Sequence, residues 1–141
     1  MKNCVFCKII AGELPSACIY EDETVFAFLD IAPINKGHTL VIPKVHHTSL
    51  TTLPDTDSAH LMKVAKTLAK ALMRVVDADG FNLILSNGTC AGQVVPHVHL
   101  HVVPRHPDDG ITLPSQSAQY ADDKEKERLA RDVIARMEQG S

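Results

Sequence analysis

Between residues 97 and 103, histidine and apolar residues alternate: His97, Val98, His99, Leu100, His101, Val102, Val103, and then Pro104. Period-two alternation marks a β-strand with two unlike faces, because successive side chains of an extended backbone point to opposite sides. His97, His99 and His101 are thus expected on one face, about 7 Å apart in succession. Val98, Leu100 and Val102 are expected on the other, ready to bury. Pro104 has no N–H to give a ladder, so the strand is expected to end there or to lie at an edge. A half-buried strand with histidines on its wet face is the plainest account of one such residue. Three in strict alternation, among eight histidines in the chain, argue for chemistry instead.

A chain of 141 residues is expected to form one domain over 1–141. It is long enough to bury about 68–70% of its unfolded surface without staples. Packing is expected to be aliphatic, since aromatic residues make up 4% of the chain and Trp is absent. The formal charge of −3 offers no basic stripe for nucleic acid, yet leaves room for a small anion held by local donors. No apolar run approaches the roughly 20 residues of a membrane span. Leu14-Pro15-Ser16-Ala17-Cys18 resembles a lipoprotein cleavage site, but Lys8 and Glu13 interrupt the apolar run that must precede one. The chain is therefore expected in the cytoplasm with its thiols reduced. Cys4-x-x-Cys7 then reads as metal-binding or redox-active rather than as a disulfide.

Along the chain, residues 3–10 suit a short helix stopped at Gly12. Residues 16–21 and 24–30 suit a β-hairpin, and residues 39–42 a strand closed by Pro43. Residues 55–77 form the longest predicted helix: Leu61, Val64, Leu68, Leu72 and Val75 recur at helical spacing, with Asp55 or Asp57 as its cap. Asp79-Gly80 is expected to end it in a turn. Residues 81–85 suit a strand, 88–93 a glycine-containing loop, and 121–138 a second amphipathic helix carrying Leu129, Val133, Ile134 and Met137 on one side. Strands on short loops without regular βαβ alternation indicate an α+β fold with an antiparallel sheet of about five strands, one long central helix and a C-terminal helix.

An imidazole titrates near pH 6.5, so near neutrality it can attack or donate. His99, flanked on both sides, is best placed to attack, and His101 to donate to a phosphate oxygen or leaving group. Gly92 and Gln93 precede them, the first allowing close backbone N–H approach to an anion. These parts suit phosphoryl or nucleotidyl transfer through a covalent histidine intermediate. The rival reading is a metal site: His-x-His can chelate one ion, and Cys4, Cys7, His46 and His97 would make a closed tetrahedral zinc site. A pair of small buried thiols is the plain alternative for the cysteines. Asp30, at a strand end, can accept ribose hydroxyls or cap a turn. His38 can orient a catalytic histidine or be structurally satisfied. His47, His60 and His106 read as surface residues, Cys18 and Cys90 as structural.

The 97–103 segment resembles the His-φ-His-φ-His-φ-φ signature of the histidine triad (HIT) superfamily, φ being apolar. Three further blocks resemble the family in order: Phe6-Cys7-Lys8-Ile9-Ile10-Ala11-Gly12-Glu13-Leu14-Pro15, Ala27-Phe28-Leu29-Asp30-Ile31-Ala32-Pro33, and Gly37-His38-Thr39-Leu40-Val41-Ile42-Pro43-Lys44. Ala91-Gly92-Gln93 then leads into the triad.

The resemblance implies a homodimer of HIT-like fold whose sheets join across the interface. It implies a hydrolase or transferase acting at the α-phosphate of purine nucleoside phosphoramidates or related nucleotidyl conjugates, with no metal required for the chemistry. His99 matches the nucleophile, His101 the phosphate contact, and Gln93 a residue near the scissile phosphate. Asp30 and Ile31 match the ribose contacts; Phe28 and Leu40 match walls around the base. Ser86, Gly92 and Val94 match positions on the phosphate side. In bacterial-type members, Cys4, Cys7, His46 and His97 match the ligands of a structural zinc. Two positions depart from the pattern: Ser86 stands where many relatives have Asn, and Val94 where phosphoramidase-like members have Ser. The alternatives are a dinucleoside polyphosphate hydrolase and a zinc-stabilised nucleotide-binding module without turnover.

Overall fold

Short apolar segments separated by turns pair here into one sheet. In the computed structural model, which describes residues 3–140, strands β1 (Cys18–Glu21), β2 (Val25–Leu29), β3 (Thr39–Pro43), β4 (Gly80–Ile84) and β5 (Leu100–Arg105) are all antiparallel. Their order is β1-β2-β3-β5-β4. Helices α1 (Val5–Ile10) and α2 (Asp55–Val75) belong with them. The α+β class, the five-stranded sheet and the long helix are as the sequence predicts.

The central strands are covered on both sides. On one side Val25, Ala27, Val41, Leu100 and Val102 pack with Leu61, Val64, Ala65, Leu68, Ala69 and Leu72 of α2. On the other, Phe26, Phe28, Leu40 and Ile42 pack with Cys4 and Phe6. Two-sided burial explains why β2 reads as a continuous apolar run rather than an alternating one. Each fully buried Val, Leu or Phe contributes about 1.5–3 kcal/mol, so α2 and the segment around α1 are both held by the sheet.

Asp55 and Asp57 do not cap α2; Pro54 is its N-cap without a side-chain bond, and the two aspartates lie in the first turn, where their charge complements the helix dipole. The helix ends earlier than residue 77. Asp77 takes a left-handed conformation (φ 53), and Ala78 N–H and Asp77 N–H bond back to Met73 and Arg74 carbonyls, a Schellman closure with aspartate in the usual glycine position. Gly37 (φ +95) is sterically required: a Cβ there would stand 3.1 Å from Val76 Cγ1 and 3.3 Å from Pro104 Cγ. It turns the chain into β3 and sets down His38.

The histidine segment differs from its predicted form at its start. The paired strand begins at Leu100, so His97, which ends a bend over 95–97, and His99 lie outside the ladder. At Pro104 the edge alternative holds and the strand runs on, with Phe81 opposite Pro104 and Gly80 opposite Arg105. On the β3 side pairing stops at Thr39 opposite Val102, and Asn35 Nδ2 donates to the Pro104 carbonyl. β5 is internal to the sheet but locally an edge at Pro104, which is where a missing N–H costs nothing.

The chain divides into two compact units, Met1–Asp109 and Gly110–Ser141. The second carries helix α3 (Asp123–Glu138), which Asp122 caps by accepting from Glu125 N–H. No residue of α3 is buried; its predicted apolar side, Leu129, Val133, Ile134 and Met137, is exposed. Among the described residues no helix is long and apolar enough to cross a membrane.

Candidate active site

His99 and His101 project into a cavity of about 670 Å³. Its floor comes from the sheet, with Phe28 on β2 and Leu40 on β3; Asp30 stands just beyond β2. Phe6 and Ile9 of α1 close one side, Gly92, Val94 and Val95 another. Gly92 has φ 96, a left-handed conformation that brings bare backbone to the rim.

Backbone groups and His38 dictate which ring nitrogen carries each proton. Ile34 N–H donates to His38 Nδ1 at 3.0 Å, so the proton of neutral His38 sits on Nε2. His38 Nε2 is 2.9 Å from His101 Nδ1 and donates to it. His101 must then carry its own proton on Nε2. Burial pushes the His101 pKa down to about 4, with the neighbouring His99 and His38 adding to the effect, so this ring is neutral at pH 7. Burial also lowers His38, against the pull of the Asp30 carboxylate, whose Oδ2 stands 3.7 Å from Nε2.

His99 is set the opposite way. Its Nδ1 lies 2.7 Å from the His97 carbonyl, which can only accept, so Nδ1 bears the proton and Nε2 of the neutral ring holds a lone pair. Phe6 packs edge-on against His99, centroids 5.1 Å apart, and the rings of His99 and His101 are 4.8 Å apart. Side by side, one imidazole thus offers an electron pair and the next an N–H. That pairing suits attack at a centre whose oxygens need a donor.

His97 leaves this cavity and joins Cys4, Cys7 and His46, whose donor atoms all lie within 4.8 Å of one another. His97 Nε2–H donates to the Pro43 carbonyl at 2.8 Å, which frees Nδ1 as a ligand atom. Nδ1 is 3.4 Å from Cys4 Sγ and 3.7 Å from Cys7 Sγ, and His46 Nδ1 is 3.4 Å from Cys7 Sγ. A tetrahedral ion with bonds of about 2.0–2.3 Å sets its ligands about 3.3–3.8 Å apart, so the two thiols and two imidazoles fit a metal ion. Burial raises the Cys7 thiol, Cys4 adding to it, and burial drives His97 down to about 4 against the pull of its Pro43 bond, with His46 and His99 lowering it further. Asp30, His38 and His101 form a second compact group, but both His38 nitrogens are already used in hydrogen bonds.

Of the residues singled out in the sequence, Phe28, Asp30, Ile31, Leu40, Gly92, Val94, His99 and His101 do line the cavity. Ile31 and Val94 are rim residues, 96% and 89% exposed. Gln93 and Ser86 are not among the lining residues. Gln93 Oε1 accepts from Gly88 N–H and its Nε2 donates to the Thr48 carbonyl, each at 2.8 Å; in this structure its amide braces the 88–93 loop. Ser86 Oγ lies behind Gly92, 3.9 Å from where a Cβ would stand. His60, read as a surface residue, is half-buried with Nε2 2.6 Å from Asp22 Oδ2, while Cys18 and Cys90, read as structural, are exposed. Sequence reasoning missed the wall made by Val5, Phe6, Ile9, Leu14 and Pro15; the apolar spacing of 5, 6 and 9 around the cysteines was its only signal.

A family model described as the HIT domain matches residues 11–108. The chain is 38% identical over 135 residues to an adenosine 5'-monophosphoramidase of Saccharomyces cerevisiae, covering 96% of this chain and 83% of that one. It is 40% identical over 107 residues to an adenylylsulfatase of Arabidopsis thaliana, covering 76% and 54% respectively. Among solved structures, a zinc-bound histidine triad family protein of Mycobacterium smegmatis aligns with TM-score 0.76 and 39% identity, covering 99% of both chains.

Proposed function

The chain belongs to the HIT family, and from that premise we propose that it is a nucleotide hydrolase. The substrates are purine nucleoside phosphoramidates or related nucleotidyl conjugates, cleaved at the α-phosphate. The observation that carries this reading is the opposed proton placement on His99 and His101. His99 Nε2 attacks phosphorus; the bond to the leaving nitrogen breaks, and its electron pair goes to that nitrogen, which takes up a proton. His101 Nε2–H meets the charge on the phosphate oxygens. Water then attacks the nucleotidyl-histidine, the phosphorus–Nε2 bond returns its pair to the ring, and water gives up the proton the first step consumed. Phe6, Phe28 and Leu40 offer a purine apolar walls, and Asp30 offers ribose hydroxyls an acceptor. The relatives named as a monophosphoramidase and an adenylylsulfatase support the chemistry.

The Cys4, Cys7, His46 and His97 cluster is proposed to hold a structural zinc, a reading supported by its donor set and by the zinc-bound relative. Zinc would take no part in the reaction and would anchor His97, whose carbonyl fixes His99. The chain is further proposed to act as one HIT domain over 1–141 and as a cytoplasmic homodimer, with neither nucleic acid nor membrane as a partner. β4, at the end of the sheet order, offers an open edge for joining two sheets.

Turnover of adenosine 5'-phosphoramidate by wild type and by His99→Asn tests the proposal. His99→Asn is expected to bind AMP as wild type does and to lose on the order of 10³-fold or more in kcat. Turnover within tenfold of wild type would reject His99 as nucleophile. Tight AMP binding without turnover by wild type would favour a binding module.

A further inference from the structure

Cys4 and Cys7 are placed for a second chemistry besides holding an ion. Cys4 is the extended N-cap of α1, and its Sγ accepts from Cys7 N–H at 3.4 Å. That bend folds its sulfur back over the first turn, within 4.8 Å of the Cys7 sulfur. Cα atoms three apart on a helical turn stand about 5 Å from each other, inside the roughly 4.4–6.8 Å that a disulfide spans. Access to the two thiols differs: Cys4 is 5% exposed, while Cys7 is half-buried. Small oxidants therefore meet Cys7 first, with Cys4 waiting behind it.

Ligation and bonding exclude each other here. Two sulfurs on one tetrahedral zinc stand about 3.8 Å apart, whereas a disulfide holds them at about 2.05 Å. A disulfide also has no thiolate to offer an ion, so closing it withdraws two of the four donors. The cavity is within reach of that change. Phe6 lies between the two cysteines and packs edge-on against His97 and His99, with centroids 5.7 and 5.1 Å apart, and it lines the cavity. His97 Nδ1 stands 3.4 Å from Cys4 Sγ, and the His97 carbonyl accepts from His99 Nδ1–H.

We infer that Cys4 and Cys7 are a thiol–disulfide switch closed by a hydroperoxide, and that closing it expels the ion from the cluster and shifts His99. The inference rests on reading the cluster as a metal site. Cys7 sulfur attacks a peroxide oxygen; the S–O bond forms, the O–O bond breaks and water leaves, giving a sulfenic acid. Cys4 sulfur then attacks Cys7 sulfur; the S–S bond forms, the S–O bond breaks and a second water leaves. The sulfurs give up two electrons and the peroxide takes them. Two protons come from the thiols, or from solvent where an ion held the thiolates.

Zinc-loaded protein carrying Cys18→Ser/Cys90→Ser, which leaves Cys4 and Cys7 as its only thiols, tests the switch under hydrogen peroxide. A chromogenic zinc indicator should read one zinc released per disulfide. The tryptic peptide spanning residues 3–8 should be lighter by two hydrogens and refractory to alkylation. The His99 ring resonance should shift, and kcat/KM for adenosine 5'-phosphoramidate should fall by about tenfold, the scale of losing an outer-shell support. A phosphine reductant with added zinc should restore all four. Zinc retained under excess peroxide, release without the Cys4–Cys7 disulfide, or a His99 resonance unmoved by oxidation would each overturn the switch. Reduced protein that takes up no zinc fails the metal reading, and the switch with it. Reduced protein without turnover fails the hydrolase reading alone, and zinc, mass and resonance still decide the switch.

Discussion

Replacing His38 by phenylalanine keeps a buried ring of similar size and removes both nitrogens. The side chain is 3% exposed, so water has little access to replace them. Two bonds vanish, the one from Ile34 N–H at 3.0 Å and the one to His101 Nδ1 at 2.9 Å. At about 1 kcal/mol each the cost is about 2 kcal/mol. For 141 residues the unfolding entropy is about 0.3 kcal/mol/K, so Tm should fall by about 7 °C. The chemical effect is separate. With no donor facing Nδ1, the His101 proton is free to move to that nitrogen, and part of the population then presents a bare Nε2 to the phosphate. A loss of about tenfold in kcat is expected, as when an orienting partner of a functional histidine is removed. Nitrogen-15 NMR reads the cause directly: His101 should be the Nε2–H tautomer in wild type and a mixture in His38→Phe. A wild-type His101 protonated on Nδ1, or kcat within twofold of wild type in His38→Phe, would refute the reasoning.

Protein purified without chelator should carry one zinc per chain by elemental analysis, and Cys4→Ser or His46→Ala should lose it together with stability, since structural metal binding is folding free energy; absent metal, or metal indifferent to both changes, rejects the site. Stability should fall as pH drops from 6.5 to 4, because His101 has a folded pKa of about 4 against 6.5, so the unfolded chain takes up a proton there that the folded chain refuses. At about 1.4 kcal/mol per pH unit the ceiling for His101 is about 3 kcal/mol, measured by urea unfolding at pH 7.5, 6 and 5; stability flat over that interval would contradict a buried neutral ring. Asp22 acts in a different window: burial raises its pKa, but bonds from Tyr20, His60, Thr24 and Val25 outweigh that and hold it well below the usual carboxylate range, so its contribution goes only below about pH 4.

The alternation of imidazole and apolar side chains was readable because sheet geometry allows few other placements, and Val98, Leu100 and Val102 are buried as it requires. What alternation could not reveal is that hydrogen bonds to Pro43 and from His38 divide the three histidines between a cysteine–histidine cluster and a cavity. Those partners lie 54 and 63 residues away, beyond any local pattern. The partners of Gln93 were hidden for a related reason. A polar residue beside a glycine loop reads as an anion contact, whereas burial forces its amide to satisfy Gly88 and Thr48. The end of α2 was misjudged because Asp77, not a glycine, takes the left-handed position.

Trapping the covalent intermediate tests the account most directly. Wild-type protein in excess over adenosine 5'-phosphoramidate, quenched in alkali within one turnover and digested, should yield a peptide spanning residues 97–101 that carries one added adenosine monophosphate, with fragmentation placing it on His99. An adduct on His101 or on any other residue, or hydrolysis that proceeds with no adduct at any quench time, would contradict it.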